Sequence, residues 1–228
     1  MGVWRARALP RRSRGVSHLG HDRSEPEARA FLAKFTARTD GRAPFVTRDQ
    51  LPAYVAALMA NSSTPEPPPA RRGPGRPRKE PRRLADPNLR YARVHKRREG
   101  GRVVEVKRQI LFGSEDDLIR IREMDGCGSR INTAYGERAN LTSRQSDGRS
   151  VRKTLSHSGR KDYLRHHIDF EDAIYDLVRP HRASRLRLRR PAAHGRRWTH
   201  RPPALAAGLT DHIWSLEELL DYCPPPSG

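Results

Sequence analysis

The clearest alternation of apolar and polar side chains lies between residues 89 and 113. One side of an extended segment there carries four apolar residues, Val104, Val106, Ile110 and Phe112. Arg108 interrupts this apolar side once. Residues 91–97 supply a second strand, and Gly100-Gly101 fall where a tight turn needs them. The pattern predicts a β-hairpin with one packed face.

Helical spacing of apolar residues predicts a first helix that begins at Ser24. Pro26 lies just inside it and Glu27 is at the third position, which is the spacing of a capping box. Phe31 and Phe35 then point inward. A short apolar strand follows at residues 44–47, so helix and strand together form half of a parallel crossover unit.

Further helices are predicted along the rest of the chain. One lies at residues 53–60, and Ser114 with three following acids caps another at the end where the macrodipole favours negative charge. Residues 154–157 are expected to lead into a long helix that ends at Val178, with Tyr163, Ile168 and Tyr175 among the residues of its inward face. Ser215 and Glu218 form a capping box for a last short helix, which would dock on the fold or on another protomer. Helices alternating with strands predict the α/β fold class.

Three stretches have neither a helical nor a strand period. Residues 1–20 contain short apolar pieces broken by arginines, so no regular strand is expected. Eight prolines between Pro65 and Pro87 predict a linker without regular structure. Residues 182–203 hold eight arginines and no acid, which predicts a phosphate-binding tail that does not fold alone. Its DNA-binding candidates are Arg187, Arg189 and Arg190.

Composition adds a strong positive charge to this picture. The 228 residues include 46 Lys plus Arg against 26 Asp plus Glu, a net charge of +20. Such a balance favours a polyanionic partner, although a GC-rich coding sequence would give the same excess of arginine. Only 35% of residues are hydrophobic, so part of the chain is expected to order only on its partner.

The same composition excludes several classes of protein. Cys127 and Cys223 lie far apart, so neither a zinc cage nor a disulfide framework is predicted, and a reducing compartment fits. No apolar run approaches 18 residues, so no membrane partner is expected and the predicted location is cytoplasmic. The arginine-rich start resembles a transit peptide but has no apolar core of a secretory signal.

One predicted helix, over residues 133–145, has a face with possible chemistry. Its members at i, i+3, i+4 and i+7 are Glu137, Asn140, Leu141 and Arg144. A carboxylate beside an amide and a guanidinium could bind a hard metal ion and orient a phosphate. The alternative is a solvated helix in which Glu137 pairs with a neighbouring arginine.

Asp49 is the second candidate carboxylate. It follows the strand at residues 44–47, and α/β sites are built at the carboxyl ends of parallel strands. It also precedes Pro52 and a helix, as an N-cap residue would. Both roles are compatible.

The proline-rich linker contains a Gly-Arg-Pro core with basic flanks that looks like an AT-hook. An extended backbone of this kind lets an arginine enter a narrow A·T minor groove. A basic linker that only aids solubility would look much the same. The DNA-binding candidates in this segment are Arg71, Arg72, Arg76, Arg78 and Lys79.

Residues 132–144 and 203–220 resemble DDE-type insertion-sequence transposases. The first string is Asn132-Thr133, Glu137-Arg138, Asn140, Thr142 and Arg144, and the resemblance implies an RNase H-like fold in which Asp49 and Glu137 are catalytic ligands of Mg²⁺. It implies DNA partners (transposon ends and target), polynucleotidyl transfer and a nucleoid-associated location, and it leaves a homo-oligomer open. The family's first strand and first Asp are not recognisable, so we expect an N-terminally truncated, partial RNase H-like fold.

The expected organisation has five parts. They are a degraded N-terminal remnant (1–20), the first part of the core (21–60), a disordered linker (61–88), the hairpin and helices of the core (89–183) and a basic tail with a docking helix (184–228). Three functions follow: a transposase that binds DNA but does not cut it alone, a non-catalytic DNA-binding module, or a largely disordered remnant.

Overall fold

The computed structural model describes residues 2–8, 13–39, 45–48, 52–66, 82–124, 134–151, 155–156, 158–191 and 193–223. The strands in this part of the chain are β1 (Gly2–Arg7), β2 (Arg14–Gly20), β3 (Phe45–Arg48), β4 (Ser63–Glu66), β5 (Arg82–Ala85), β6 (Arg90–Glu99), β7 (Arg102–Phe112), β8 (His181–Arg187) and β9 (Trp198–Arg201). The helices are α1 (Glu25–Thr36), α2 (Pro52–Asn61), α3 (Glu115–Met124), α4 (Ala134–Ser146), α5 (Lys161–Ala173), α6 (Pro203–Ala207) and α7 (Leu216–Asp221).

The chain divides into two compact units. The first contains Gly20–Asp147, and the second joins Val3–Leu19 to Gly148–Gly228. Helices and strands occur in both units, so the predicted α/β class is confirmed at the level of a mixed α/β protein. The RNase H-like arrangement of these elements stays a prediction. No helix of the described residues is long and apolar enough to cross a bilayer.

Helices α1 and α2 form the core of the first unit. The buried side chains recur at helical spacing, so each helix presents one apolar face: Ala28, Phe31 and Leu32 on α1, and Tyr54, Ala57 and Leu58 on α2. The rings of Phe31 and Tyr54 meet edge to face with centroids 6.3 Å apart, a favourable arrangement for aromatic pairs.

The capping box predicted at the start of α1 is wrong. Ser24 occupies the N-cap position, but its side chain makes no capping hydrogen bond. Glu27 instead accepts a hydrogen bond from the backbone N–H of His21 at 2.9 Å, and Asp22 accepts one from the backbone N–H of Ser24 at 2.9 Å. The preceding turn therefore takes the groups that a capping box would use.

The predicted hairpin appears in a three-stranded sheet of order β3-β6-β7. Strand β3 is parallel as expected, but the connection from β3 to β6 contains α2 and not the predicted helix α1. Strand β3 runs parallel to β6, with Phe45 opposite Arg90, and β6 runs antiparallel to β7. The hairpin turn is confirmed at Gly100 and Gly101, whose φ angles are 55° and 80°. Two consecutive positive φ values suit a two-residue turn and favour glycine.

The expected packed face of β7 is only partly formed. Ile110 and Phe112 are half-buried, whereas Val104 and Val106 are exposed. Within the described residues, β3 pairs with residues 90–93 of β6, and no strand pairs beside the distal part of the hairpin. A register shift opposite Arg97 and Arg98 also interrupts the alternation there. The sheet buries its apolar side chains on β6 instead, at Tyr91, Ala92 and Val94.

The linker predicted over residues 61–88 has regular structure at both ends. Strands β4 and β5 pair antiparallel, with Ser63 opposite Ala85 and Glu66 opposite Arg82. Pro65 is tolerated because a two-stranded ladder leaves edge positions that need no N–H donor. Residues 67–81, with the five candidate DNA-binding side chains of the AT-hook-like segment, lie outside the described residues.

The prediction that residues 1–20 contain no regular strand is also wrong, because β1 and β2 pair with each other. Trp4, Val16 and Leu19 are buried. The arginines that break the apolar pattern have acidic partners on α5. Arg5 Nη2 lies 3.0 Å from Glu171 Oε2, and Arg14 Nη1 lies 2.8 Å from Asp172 Oδ1.

The predicted long helix ends at Val178, and its last turn is π-helical over Ile174–Val178. This turn places Tyr175 and Asp176 beside the N-terminal hairpin. The carboxylate of Asp176 accepts the backbone N–H of Arg14 at 2.9 Å, and the Arg14 guanidinium lies 4.0 Å from the Tyr175 ring centroid. The N-terminal ion network therefore consists of Arg5, Arg14, Glu171, Asp172 and Asp176.

The expected inward face of the long helix is correct at Ile168 and Tyr175, which are buried. It is wrong at Tyr163, whose exposed ring lies 4.6 Å from the guanidinium carbon of Arg160. An amphipathic aromatic side chain can cover a cation at the surface without entering the core.

The basic tail expected from residue 182 is wrong as well. Strand β8 pairs antiparallel with β9, with Arg187 opposite Trp198. Leu188 donates its backbone N–H to Arg197 O at 2.9 Å, and Arg201 Nε donates to Ser184 O at 3.2 Å. Backbone pairing thus orders a stretch whose side-chain composition alone predicts no fold.

The last helix confirms its predicted capping box. Glu218 N–H donates to Ser215 Oγ at 3.0 Å, and Ser215 N–H donates to Glu218 Oε2 at 3.3 Å. Just before the helix, the backbone N–H of Trp214 donates to Leu177 O at 3.3 Å. Helix α7 is therefore attached to the end of the long helix within the second unit.

Replacing Arg14 should destabilise the protein strongly. The Arg14 side chain is only 3% exposed and those of Glu171 and Asp172 are 12% exposed. Arg14→Met therefore removes one of the two guanidinium groups, Arg5 and Arg14, that face these buried carboxylates. We expect a loss of about 3–5 kcal/mol in the free energy of unfolding, measured by urea denaturation at neutral pH.

The matched control is Arg29→Met. Arg29 pairs with Glu25 on the exposed surface of α1, and such pairs contribute about 0.5 kcal/mol or less. Equal losses in the two variants would show that the N-terminal ion network does not support the fold.

Stability should fall as Asp176 ionises. Burial, and then the charge of Asp172, raises the pKa of Asp176 from 3.8 to about 6, against the opposing effect of the Arg14 N–H. A raised pKa in the folded state means that this group's stabilising contribution is complete below about pH 4 and is lost as the pH rises through about 6.

In Asp176→Asn this titration is absent, so the decline in unfolding free energy between about pH 4 and pH 7 should be smaller than in the unmodified chain by up to about 3 kcal/mol. Urea midpoints at the two pH values measure the difference. Parallel pH profiles for the two proteins would contradict the assignment.

Candidate nucleic-acid interface

Helix α4 places the candidate residues of the first unit as the sequence predicts. Glu137, Asn140 and Arg144 are exposed, whereas Ser143 on the same helix and Asp147 just after it are buried. The helix begins at Ala134, and Asn132 and Thr133, which would suit its N-cap, lie outside the described residues. The shared face is therefore confirmed.

The carboxylate of Glu137 is held by a cation. Lys96 Nζ lies 2.5 Å from Glu137 Oε1, and the two side chains are 23% and 54% exposed. This arrangement agrees with the solvated-helix alternative, except that the partner is a lysine of β6 and not a neighbouring arginine. The two residues are 41 positions apart in the chain, which is why helical spacing could not identify the pair.

The predicted metal site is not assembled by the described residues. Asp49 lies outside them, so its distance from Glu137 stays a prediction. Across the part of the chain that the structure describes, no three His, Cys, Asp or Glu side chains come together as metal ligands would. Mg²⁺ prefers several oxygen ligands, and among the candidate ligands Glu137 is the one that the structure describes, with Lys96 Nζ at its carboxylate.

A second candidate surface lies on the β8–β9 hairpin of the second unit. Arg187 is exposed on β8, and Arg189 and Arg190 are exposed in the turn that follows. Eight arginines belong to this hairpin, and we call them the hairpin arginines: Arg182, Arg185, Arg187, Arg189, Arg190, Arg196, Arg197 and Arg201.

The hairpin arginines differ in their partners from several arginines elsewhere among the described residues. Arg5 and Arg14 face carboxylates of α5, and Arg97 lies 3.2 Å from Glu99. Among the described residues, none of the hairpin arginines forms an ion pair with a carboxylate. The sequence itself has no acid between Asp176 and Asp211. Within the part of the chain that the structure describes, the positive charge of this hairpin therefore has no carboxylate partner.

One face of the hairpin carries an exposed aromatic residue among these arginines. Trp198 and His200 alternate with the less exposed Thr199 along β9, and Arg187 lies directly opposite Trp198. The guanidinium carbon of Arg185 is 4.2 Å from the Trp198 ring centroid. Because opposite residues of an antiparallel pair share a face, cations and aromatic rings converge here.

Sequence reasoning did not identify Trp198 as a functional residue. The available signal was an aromatic residue directly after Arg196-Arg197 in a stretch free of acids. Interleaved cations and aromatics are typical of nucleic-acid surfaces. This pattern indicates a binding surface only when the segment around Trp198 is known to form a hairpin.

Comparison with protein-family models, curated proteins and solved structures gives no match to this chain.

The pair between Glu137 and Lys96 should contribute little to stability. Both side chains reach solvent, and exposed ion pairs contribute about 0.2–1 kcal/mol. A double-mutant cycle of Lys96→Met and Glu137→Gln, measured by urea denaturation, should therefore give a coupling energy below about 1 kcal/mol. A coupling above about 2 kcal/mol would contradict the description of a surface pair.

Proposed function

We propose that this protein binds DNA through the β8–β9 hairpin, and that it derives from DDE-type insertion-sequence transposases. The observation that carries the proposal is the set of hairpin arginines, which are folded into a strand pair and have no carboxylate partners among the described residues. A polyanion is the partner that neutralises such a surface.

The physical argument rests on the counterions of DNA. Each phosphate that an arginine neutralises releases condensed cations, which drives association at low and moderate salt. Arginine also binds phosphate through two parallel N–H groups. A paired strand holds these groups at fixed spacing, so less side-chain and backbone entropy is lost on binding than in an unfolded tail.

Other basic segments extend the same proposal. Asn140 and Arg144 are exposed on α4, which supports the proposal of a phosphate contact in the first unit. The AT-hook-like segment adds a minor-groove contact, for which the support is its sequence. Acting on DNA, the protein would be associated with the nucleoid.

We propose binding without strand cleavage by this chain alone. The transposase ancestry is supported by the motif around Glu137 and by the segment at residues 203–220. Cleavage through Mg²⁺ would require the Glu137 carboxylate as an ion ligand, whereas Lys96 lies 2.5 Å from it. Cleavage assisted by Asp49 and Glu137 is the alternative function.

Duplex binding should depend steeply on salt and on the hairpin arginines. With Arg189→Ala and Arg190→Ala combined, the slope of log affinity against log salt concentration should fall by about two, because about one counterion is released per phosphate contact. Fluorescence anisotropy with a labelled duplex over a salt series measures both slopes.

The matched control combines Arg29→Ala with Arg160→Ala, which removes the same charge from exposed arginines that already face carboxylates. This control should keep the original slope. Equal effects of the two double variants would mean that net charge, and not the hairpin, determines binding. Mg²⁺-dependent nicking of a supercoiled plasmid that disappears in Glu137→Ala would favour the cleaving alternative.

A further inference from the structure

Trp198 lies at the surface of the β8–β9 hairpin. It is 38% exposed, whereas Trp4 is buried and Trp214 donates its Nε1 to Thr210 Oγ1 at 3.0 Å. The Trp214 ring also lies parallel to His212, with centroids 6.1 Å apart. Trp198 is therefore the tryptophan whose ring is presented to solvent on a basic strand.

The partner of the Trp198 ring is a cation. Arg185 stacks on it with its guanidinium carbon 4.2 Å from the centroid, and Arg187 lies opposite it in the strand register. A cation on an aromatic face stabilises the hairpin, but that role does not require the rest of the ring to remain in solvent. The exposed part of the ring is available to another flat group.

The positive charge around Trp198 indicates what kind of flat group would bind there. A flat ring that arrives with an attached negative charge satisfies both the indole and the arginines, and a nucleotide has both parts. In duplex DNA the base faces are covered by their neighbours, so only an unpaired base can stack on a protein side chain.

We propose that the β8–β9 hairpin binds unpaired nucleotides of DNA, with a base stacked on Trp198 and the flanking phosphates neutralised by Arg185 and Arg187. This inference rests on the proposed function, since it specifies the state of the DNA strand that the same hairpin recognises.

The strand geometry offers a second aromatic position. His200 is two residues further along β9 on the same exposed side, about 7 Å away from Trp198 by the strand rise. Histidine rings also accept stacked bases. Consecutive unpaired bases can therefore follow the direction of β9, and the arginines of β8 lie beside their backbone.

The test compares single-stranded and double-stranded probes at one salt concentration. The probes are a fluorescein-labelled oligothymidylate of about twenty nucleotides, which covers a typical single-strand site, and a labelled mixed-sequence duplex of the same length. Trp198→Ala should weaken binding of the oligothymidylate by about 5- to 150-fold. It should weaken duplex binding by less than about twofold, since phosphate contacts remain.

Two further variants separate stacking from folding. Trp198→Phe keeps an aromatic face and Trp198→Leu keeps only apolar volume, so the Phe variant should bind the oligothymidylate more tightly than the Leu variant does. Trp214→Phe is the control tryptophan and should leave both affinities unchanged. Circular dichroism of each variant reports whether the protein is still folded.

The outcomes distinguish the two proposals. If the unmodified chain binds neither probe, the proposed DNA-binding function fails. Three results would overturn only the stacking inference, provided that the unmodified chain binds the duplex. In the first, Trp198→Ala leaves oligothymidylate binding unchanged, and in the second it weakens binding of both probes equally. In the third, the Phe and Leu variants bind the oligothymidylate with equal affinity. Tighter binding to an oligouridylate of the same length would overturn the assignment to DNA.

Discussion

The fold of the second unit depends on the ion network between its N-terminal hairpin and its long helix. Arg14 takes part twice, because its backbone N–H binds Asp176 and its guanidinium binds Asp172, which is 158 residues away in the chain. The acids sit on one side of α5 and its π-helical turn, so they reach both strands together. Strands interrupted by arginines bury too little apolar surface to be stable alone. Buried carboxylates without a cation would be equally unfavourable. The arginines of the N-terminal strands and the carboxylates of the long helix therefore stabilise each other in the interior.

Arginines have two distinct roles in this chain, one in the fold and one at the surface. In the N-terminal hairpin they neutralise acids and become part of the interior. In the β8–β9 hairpin they have no carboxylate among the described residues and face solvent. A net charge of +20 cannot separate these two uses, because it counts both alike. The partner of each guanidinium decides whether it stabilises the fold or is available for binding, and that information exists only in the tertiary structure.

Local patterns in the sequence were sufficient at several places where the stabilising partners are close in the chain, although not at Ser24, where the preceding turn takes the capping groups. The turn at Gly100 and Gly101, the capping box of Ser215 and Glu218, and the shared face of Glu137, Asn140 and Arg144 are all settled within a few residues. The pattern failed where the partners are distant. Strands β1 and β2 look irregular until α5 supplies the acids, and β8 and β9 look like a tail until they pair. The same limit applies to the candidate site, since Lys96 and the surroundings of Trp198 come from other elements.

A folded hairpin can do something that a flexible basic tail cannot. A tail of arginines follows the density of phosphates and therefore binds single and double strands mainly according to charge. In the β8–β9 pair, the register fixes Arg187 beside Trp198, and Arg185 stacks on the same ring. Fixed spacing between cations and an aromatic face adds a contact that depends on whether a base is free to leave its stack. The backbone pairing that orders this arginine-rich stretch is thus also what lets it distinguish one state of DNA from another.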